Sequence, residues 1–224
     1  MNPPARPAIA DIATGLTGLM IAGAGAGVFF AGPTELMPVH YGLSGEVDRW
    51  GAREEVGALI AGLGGLLVLV GGGMGLAAAR AGDPAGRRAL RMAQLVCVVT
   101  VLGVALFAGG ASLGGVTSIA GGLPMAGLSL TLLAAGAFLG RVGPNPFVGV
   151  RTPWAYKSRL AWDRSNRLAG RLLFVLGLFG LAAAALAPQP AGLYALFAGL
   201  MIAVVWSVVE SWRVWRTDPD RQPF

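Results

Sequence analysis

The stretch Val56–Ala79, VGALIAGLGGLLVLVGGGMGLAAA, contains no charged, amide or hydroxyl side chain. As a helix rising about 1.5 Å per residue it is roughly 36 Å long, enough for the ~30 Å hydrocarbon core of a bilayer. A helix resting on a soluble core needs a polar face, and this one has none. It therefore predicts a membrane span. Five further apolar runs follow the same logic: Ile12–Ala31, Met92–Gly110, Leu123–Gly140, Leu172–Ala187 and Ala191–Val209. Leu172–Ala187 is slightly short unless Leu168–Gly170 are recruited and Arg171 snorkels. With 55% hydrophobic and 12% charged residues, the chain lacks the charge to cover a soluble surface. The fold class is an all-α membrane protein of six transmembrane helices, with residues 1–224 forming one integral domain. Ile12–Ala31 is too long for a signal-peptide core and is preceded by a single cation, Arg6, so it is read as a retained first span.

The cations set the orientation. With six spans, every lysine and arginine except Arg49 and Arg53 falls on one side. By the positive-inside rule that side is cytoplasmic, giving an N-in/C-in topology with residues 32–55 as an external polar loop. The net charge of +6 is thereby assigned to anionic headgroups of the cytoplasmic leaflet rather than to nucleic acid. Trp206, Trp212 and Trp215 near the end of the last run fit an aromatic belt.

Away from their ends the six runs carry only weak polar groups such as Gln94, Thr100, Ser129 and Thr131. Ion-coupled carriers usually need ionisable groups at mid-membrane, so this pattern argues against one. The single Cys97 sits among valines and leucines and reads as a small apolar filler, which leaves no disulfide within one chain. Gly23/Gly27, Gly71/Gly75 and Gly136/Gly140 have the spacing that lets helix backbones approach closely, within the chain or between copies.

Two polar stretches remain. Residues 143–170, GPNPFVGVRTPWAYKSRLAWDRSNRLAG, lie on the basic side. Pro144 and Pro146 flank Asn145 and predict a stiff turn. Thr152 followed by Pro153 reads as an N-cap and first helical residue. Trp154, Ala161 and Leu168 recur every seven residues among Lys157, Arg159, Arg164 and Arg167, which predicts a short, basic, interfacial helix. Trp154 and Trp162 would anchor it at the headgroups; Arg151 would bind phosphate or cap the fourth helix. On the other side, Pro33–Arg53 offers His40, Glu46 and Asp48 on a loop pinned by Pro38, Gly42 and Gly45. These could hold a divalent cation, or the carboxylates could cap the next helix or pair with Arg49 and Arg53. No metal motif is matched, and with one histidine in the chain a histidine-rich zinc site is excluded. No cofactor is called.

Together the two stretches resemble a known family. Asn145–Ser158, NPFVGVRTPWAYKS, with Trp162 and Arg167–Gly170, is similar to the signature of the SdpI family of bacterial integral membrane immunity proteins. Pro38–Gly51, PVHYGLSGEVDRWG, resembles a domain of unknown function often found at that family's N-terminus. The resemblance implies a six-span protein of the bacterial inner membrane. It also implies protection against a secreted, membrane-active peptide and capture of a cytoplasmic repressor. By the resemblance, Arg151, Thr152, Pro153, Trp154, Ser158, Trp162 and Arg167 match the cytoplasmic signature and His40, Gly45, Asp48 and Trp50 the external one; the candidate binding residues are the first set with Asn145, and His40, Glu46, Asp48 and Trp50 outside. The sequence departs from the pattern where the family commonly shows two acidic residues after the serine and a Thr-His before the arginine. Arg159 and Leu160, then Ser165 and Asn166, stand there instead.

The expected function is non-catalytic: immunity to, or sensing of, a membrane-active peptide toxin or envelope stress. The expected partners are lipid, a peptide outside, and a cytoplasmic regulator or the subunits of a membrane complex. An accessory subunit of such a complex and a small transporter or metal-assisted enzyme are the alternatives.

Overall fold

The computed structural model describes residues 8–118, 122–145 and 147–223; Arg6 and Pro146 lie outside the described residues. The elements run α1 (Ile9–Ala31), β1 (Met37–Tyr41), β2 (Val47–Gly51), α2 (Arg53–Arg80), α3 (Pro84–Leu113), α4 (Leu123–Leu139), α5 (Pro153–Tyr156), α6 (Arg159–Leu186) and α7 (Ala191–Thr217). Five helices, α1, α2, α3, α6 and α7, are long and apolar enough to cross a membrane. The sixth apolar run is the 17-residue α4. Large apolar side chains such as Leu69, Phe179 and Ile202 point outward and are mostly exposed, as expected of helices that meet lipid. The chain is a multi-pass membrane protein.

Glycine decides how the helices pair. On α1, Gly18 and Gly25 face Gly57 and Gly64 on α2, and a Cβ added at Gly25 would sit 2.3 Å from the Ala61 nitrogen. The two backbones touch, a geometry open only to glycine and repaid by dispersion and weak Cα–H···O contacts. The seam has a seven-residue period on both helices, and the four-residue spacing singled out in the sequence does not find it. Of those pairs, Gly136 lies against the backbone of α6, where an added Cβ would sit 2.4 Å from the Phe174 nitrogen, and Gly140 packs against Arg167. Gly71 and Gly75 face Thr14 and Asp11, while Gly23 and Gly27 have open space around them.

Contacts sort the helix ends into two groups. At one end Ser112 near the close of α3, Tyr194 at the start of α7 and the α3–α4 connection all meet the β-hairpin. The start of α4 lies against the end of α6, where a Cβ on Gly122 would overlap the Ala184 carbonyl. At the other end, α5, the start of α6 and the end of α7 converge.

The polar stretch between α1 and α2 is more ordered than a loop. β1 and β2 form a two-stranded antiparallel sheet, with Met37 opposite Gly51 and Tyr41 opposite Val47, and a register shift around His40. The hairpin is a small addition to a fold that is otherwise helical, as the all-α reading expects. Gly45 supplies the positive φ of 84° at its turn.

The interfacial helix also needs correcting. Only the single turn of α5 follows Pro153; the chain leaves helical geometry at Lys157 and Ser158, and α6 then runs unbroken for 28 residues. Ser158 is extended, and its hydroxyl accepts the Ala161 N–H at 2.9 Å, so it caps a new helix rather than continuing an old one. Trp154 therefore sits on a different helix from Ala161 and Leu168, and their seven-residue spacing marks no common face.

A further polar group lies one residue outside two of the sequence-read spans. Asp11 falls within the first turn of α1 and accepts from Arg91 and Gln94 of α3. Gln94 is fully buried, and Gly75 gives the cluster its room.

Candidate functional site

The 143–170 stretch forms a knot tied by side chains. Asn145 is buried, and its Oδ1 accepts the N–H groups of Phe147 and Val148, both at 2.8 Å. Its amide donates to the carbonyls of Gly143 and Val148 at 2.8 and 3.0 Å. One side chain thus satisfies four backbone groups of a loop with no ladder of its own. Trp162, fully buried on α6, donates its Nε1–H to the Val142 carbonyl at 2.9 Å and has its ring 5.8 Å from that of Tyr156. The headgroup-anchor reading of Trp162 is thereby corrected: it is a core residue. Asn166, one turn on, accepts the Val150 N–H at 2.8 Å and donates to the Trp162 carbonyl at 3.0 Å. Between them the chain passes at Gly149, whose φ is 128° and where an added Cβ would sit 2.6 Å from Asn166 Oδ1 and 3.1 Å from the Trp162 ring.

Thr152 caps α5 as its sequence predicts, accepting the Ala155 N–H at 3.1 Å, and its hydroxyl pairs with Ser211 on α7 at 2.7 Å. Ser211 in turn donates to the Val208 carbonyl. Ser158 donates to Asp218, a carboxylate 5% exposed just beyond α7. The tail then returns under α5: the Gln222 N–H reaches the Lys157 carbonyl at 2.8 Å, and Trp215 donates to the Gln222 carbonyl at 3.2 Å.

The candidate residues of this end therefore divide in two. Asn145, Thr152, Ser158 and Trp162 have their polar groups engaged in holding the knot. Arg151, Pro153 and Arg167 are exposed, with Trp154 half-buried beside them and the exposed rings of Phe147 and Tyr156 nearby. Arg167 lies 3.8 Å from Asp163, a loose pair at the surface. The outward surface is cationic and aromatic, suited to headgroups or an acidic protein segment.

At the opposite end, His40 Nδ1 and Asp48 Oδ1 approach to 2.6 Å on the exposed face of the hairpin. Glu46 serves through its backbone, receiving the Gly42 N–H at 2.9 Å and bridging to Ser118, while Trp50 stands opposite Pro38 and is 45% exposed. Among the described residues no group of three or more His, Cys, Asp and Glu side chains converges to hold a metal. Arg49 pairs with Glu55 at 2.6 Å and Arg53 with Glu54 at 2.9 Å, while Asp48 faces His40, so the arginines take carboxylates of α2 rather than Glu46 or Asp48. Two tyrosines anchor the hairpin: Tyr41 donates to the Val116 carbonyl at 2.9 Å and Tyr194 of α7 to that of Leu43 at 2.7 Å. Burial pushes the Tyr41 phenol above its usual range, keeping it a donor.

The knot is closed almost entirely within residues 141–211, from the turn after α4 to Ser211. That interval, Arg141–Ser211, matches the model of the SdpI/YfhL protein family. The match covers residues 141–211, less than half of the 224-residue chain. Comparison with curated proteins and with solved structures finds no similar one. Within the matched segment the sequence had not singled out Gly149, Asn166 or Ser211 as site residues. The signal was present for Asn166: Ala161, Trp162, Ser165, Asn166, Ala169 and Gly170 repeat at the intervals of one buried helix face. Reading a helix from Ser158 instead of Pro153 brings that face into phase.

Proposed function

We propose that this chain is a non-catalytic, SdpI-type protein of the bacterial inner membrane that protects against, or senses, a membrane-active peptide or envelope stress. In this reading α4 is a sixth span, both termini are cytoplasmic, the hairpin faces outward and the knot faces the cytoplasm. The split of cations supports that sidedness. The observation that carries the functional reading is that α7 touches both polar ends: Tyr194 holds the hairpin at Leu43, and Ser211 holds the knot at Thr152. A ligand that favours one arrangement of the hairpin would bias one arrangement of the knot through this helix, which is what a reporter across a bilayer requires. His40, Glu46, Asp48 and Trp50 would meet the ligand, and Arg151, Trp154 and Arg167 would present the outcome to a cytoplasmic regulator.

The test is survival of a susceptible bacterial strain, with and without the gene, under challenge with amphipathic membrane-permeabilising peptides. The reading expects survival to rise with the gene and to fall back with Arg151→Ala at unchanged membrane abundance. Equal survival together with stoichiometric co-purification of other membrane subunits would replace it with an accessory-subunit role, which the open face around Gly23 and Gly27 would suit. A reporter fused at the C-terminus should read cytoplasmic and one inserted at Gly42 external; the reverse result would overturn the sidedness.

A further inference from the structure

Where α4 ends against α6, the Gly136–Gly170 approach leaves an open groove of about 410 Å³ on the outer surface of the pair. Its mouth carries three cations from two elements: Arg141 just past α4, and Arg167 and Arg171 one turn apart on α6. Its floor is apolar, formed by Ala137, Phe174 and Val175, which lie further along the helices, away from the knot. Arg141 and Arg171 make no side-chain hydrogen bond or ion pair among the described residues, and the nearest carboxylate, Asp163, stands 3.8 Å from Arg167. The other negative feature here is the set of terminal carbonyls of α4, a partial charge at most. Three arginines lining one end of an apolar groove are electrostatically incomplete, and what would complete them carries phosphate above hydrocarbon.

We propose that this groove binds one anionic phospholipid, its headgroup phosphate held by Arg141, Arg167 and Arg171 and one acyl chain lying over Ala137, Phe174 and Val175. The order of chemistry along the groove favours lipid over a soluble anion, because cations give way to apolar surface in the direction in which a lipid changes from headgroup to chain. The volume lies in the range of small-molecule sites. The occupied groove abuts the knot through Arg141, one residue from the Val142 carbonyl that receives Trp162, so the lipid would brace the turn on which the cationic surface is built.

The test uses the full chain in neutral maltoside detergent, observed by native mass spectrometry with dioleoyl phosphatidylglycerol or dioleoyl phosphatidylcholine at matched concentrations. One phosphatidylglycerol should be retained at least about tenfold more strongly than phosphatidylcholine, because only its headgroup carries net negative charge to the three arginines. The double variant Arg141→Gln/Arg171→Gln should lose that preference, whereas Arg159→Gln/Arg164→Gln, on the exposed start of α6 outside the groove, should keep it. Ala137→Phe, which fills the floor and leaves every cation in place, should also lower retention. Equal retention of the two lipids, or equal loss in the two arginine double variants, would overturn the site in favour of a diffuse basic surface. Displacement of the lipid by millimolar inorganic phosphate would overturn the lipid as occupant and leave a soluble anion.

Discussion

The hairpin and the knot do the same job by different means. Each closes the connection between two helices that meet through glycine, α1 with α2 and α4 with α6. The hairpin closes itself by a backbone ladder, with bridges to the α3–α4 connection, so most of its partners are groups that every residue carries. The knot has no ladder. Its backbone is satisfied by Asn145, Thr152, Ser158, Trp162 and Asn166, each by its own side chain. Substitution should therefore be felt gently in the first region and sharply in the second, and the SdpI/YfhL match covers the second.

Trp162→Ala is expected to break the comparison open most widely. Removing a fully buried tryptophan costs about 3–5 kcal/mol, against about 0.5 kcal/mol or less for Trp50→Ala on the hairpin surface. Thermal unfolding in detergent checks both, and similar losses would mean that the two regions are not held differently. Glycine gives a finer comparison. Both Gly149 and Gly45 have positive φ, and at Gly149 a would-be Cβ also meets side-chain atoms within 3.1 Å. Gly149→Ala should cost about 1–3 kcal/mol from its backbone geometry alone, with the overlap added, while Gly45→Ala costs about 1–2 kcal/mol. A larger loss at Gly45 would contradict this. The smallest effect belongs to Asp48→Asn, which removes an exposed pairing with His40 and should change stability by less than about 1 kcal/mol. A sizeable shift in melting temperature would show the pair to be more than a surface contact.

Much of the fold was legible in the sequence, because long uncharged runs allow one interpretation in a bilayer. All six runs are helices, and Thr152–Pro153 starts a helix where the cap chemistry says it should. Boundaries moved outward, since Asp11, Arg80 and Arg91 are tolerated inside helix ends where they find partners or reach the surface. The hairpin was hidden because Pro38, Gly42 and Gly45 look like loop residues, although Pro38 occupies a strand and Gly45 its turn. In the site, the residues singled out for binding proved to include those that build the knot. Asn166 was noticed only as a departure from the family pattern, and its partner, the Val150 N–H, carries no sequence signal at all. A side chain that bonds to backbone sixteen residues away is specified by tertiary packing. Asp218 was hidden for the same reason, its burial depending on a tail that folds back beneath Lys157.

The most direct test of this division is hydrogen–deuterium exchange on the full chain in lipid nanodiscs, wild type against Asn166→Ala. The account predicts that the Val150 amide loses up to about tenfold protection, one hydrogen bond's worth of free energy, while the Gly42 and Val47 amides of the hairpin are unchanged. Unchanged protection at Val150, or an equal loss in the hairpin, would contradict it.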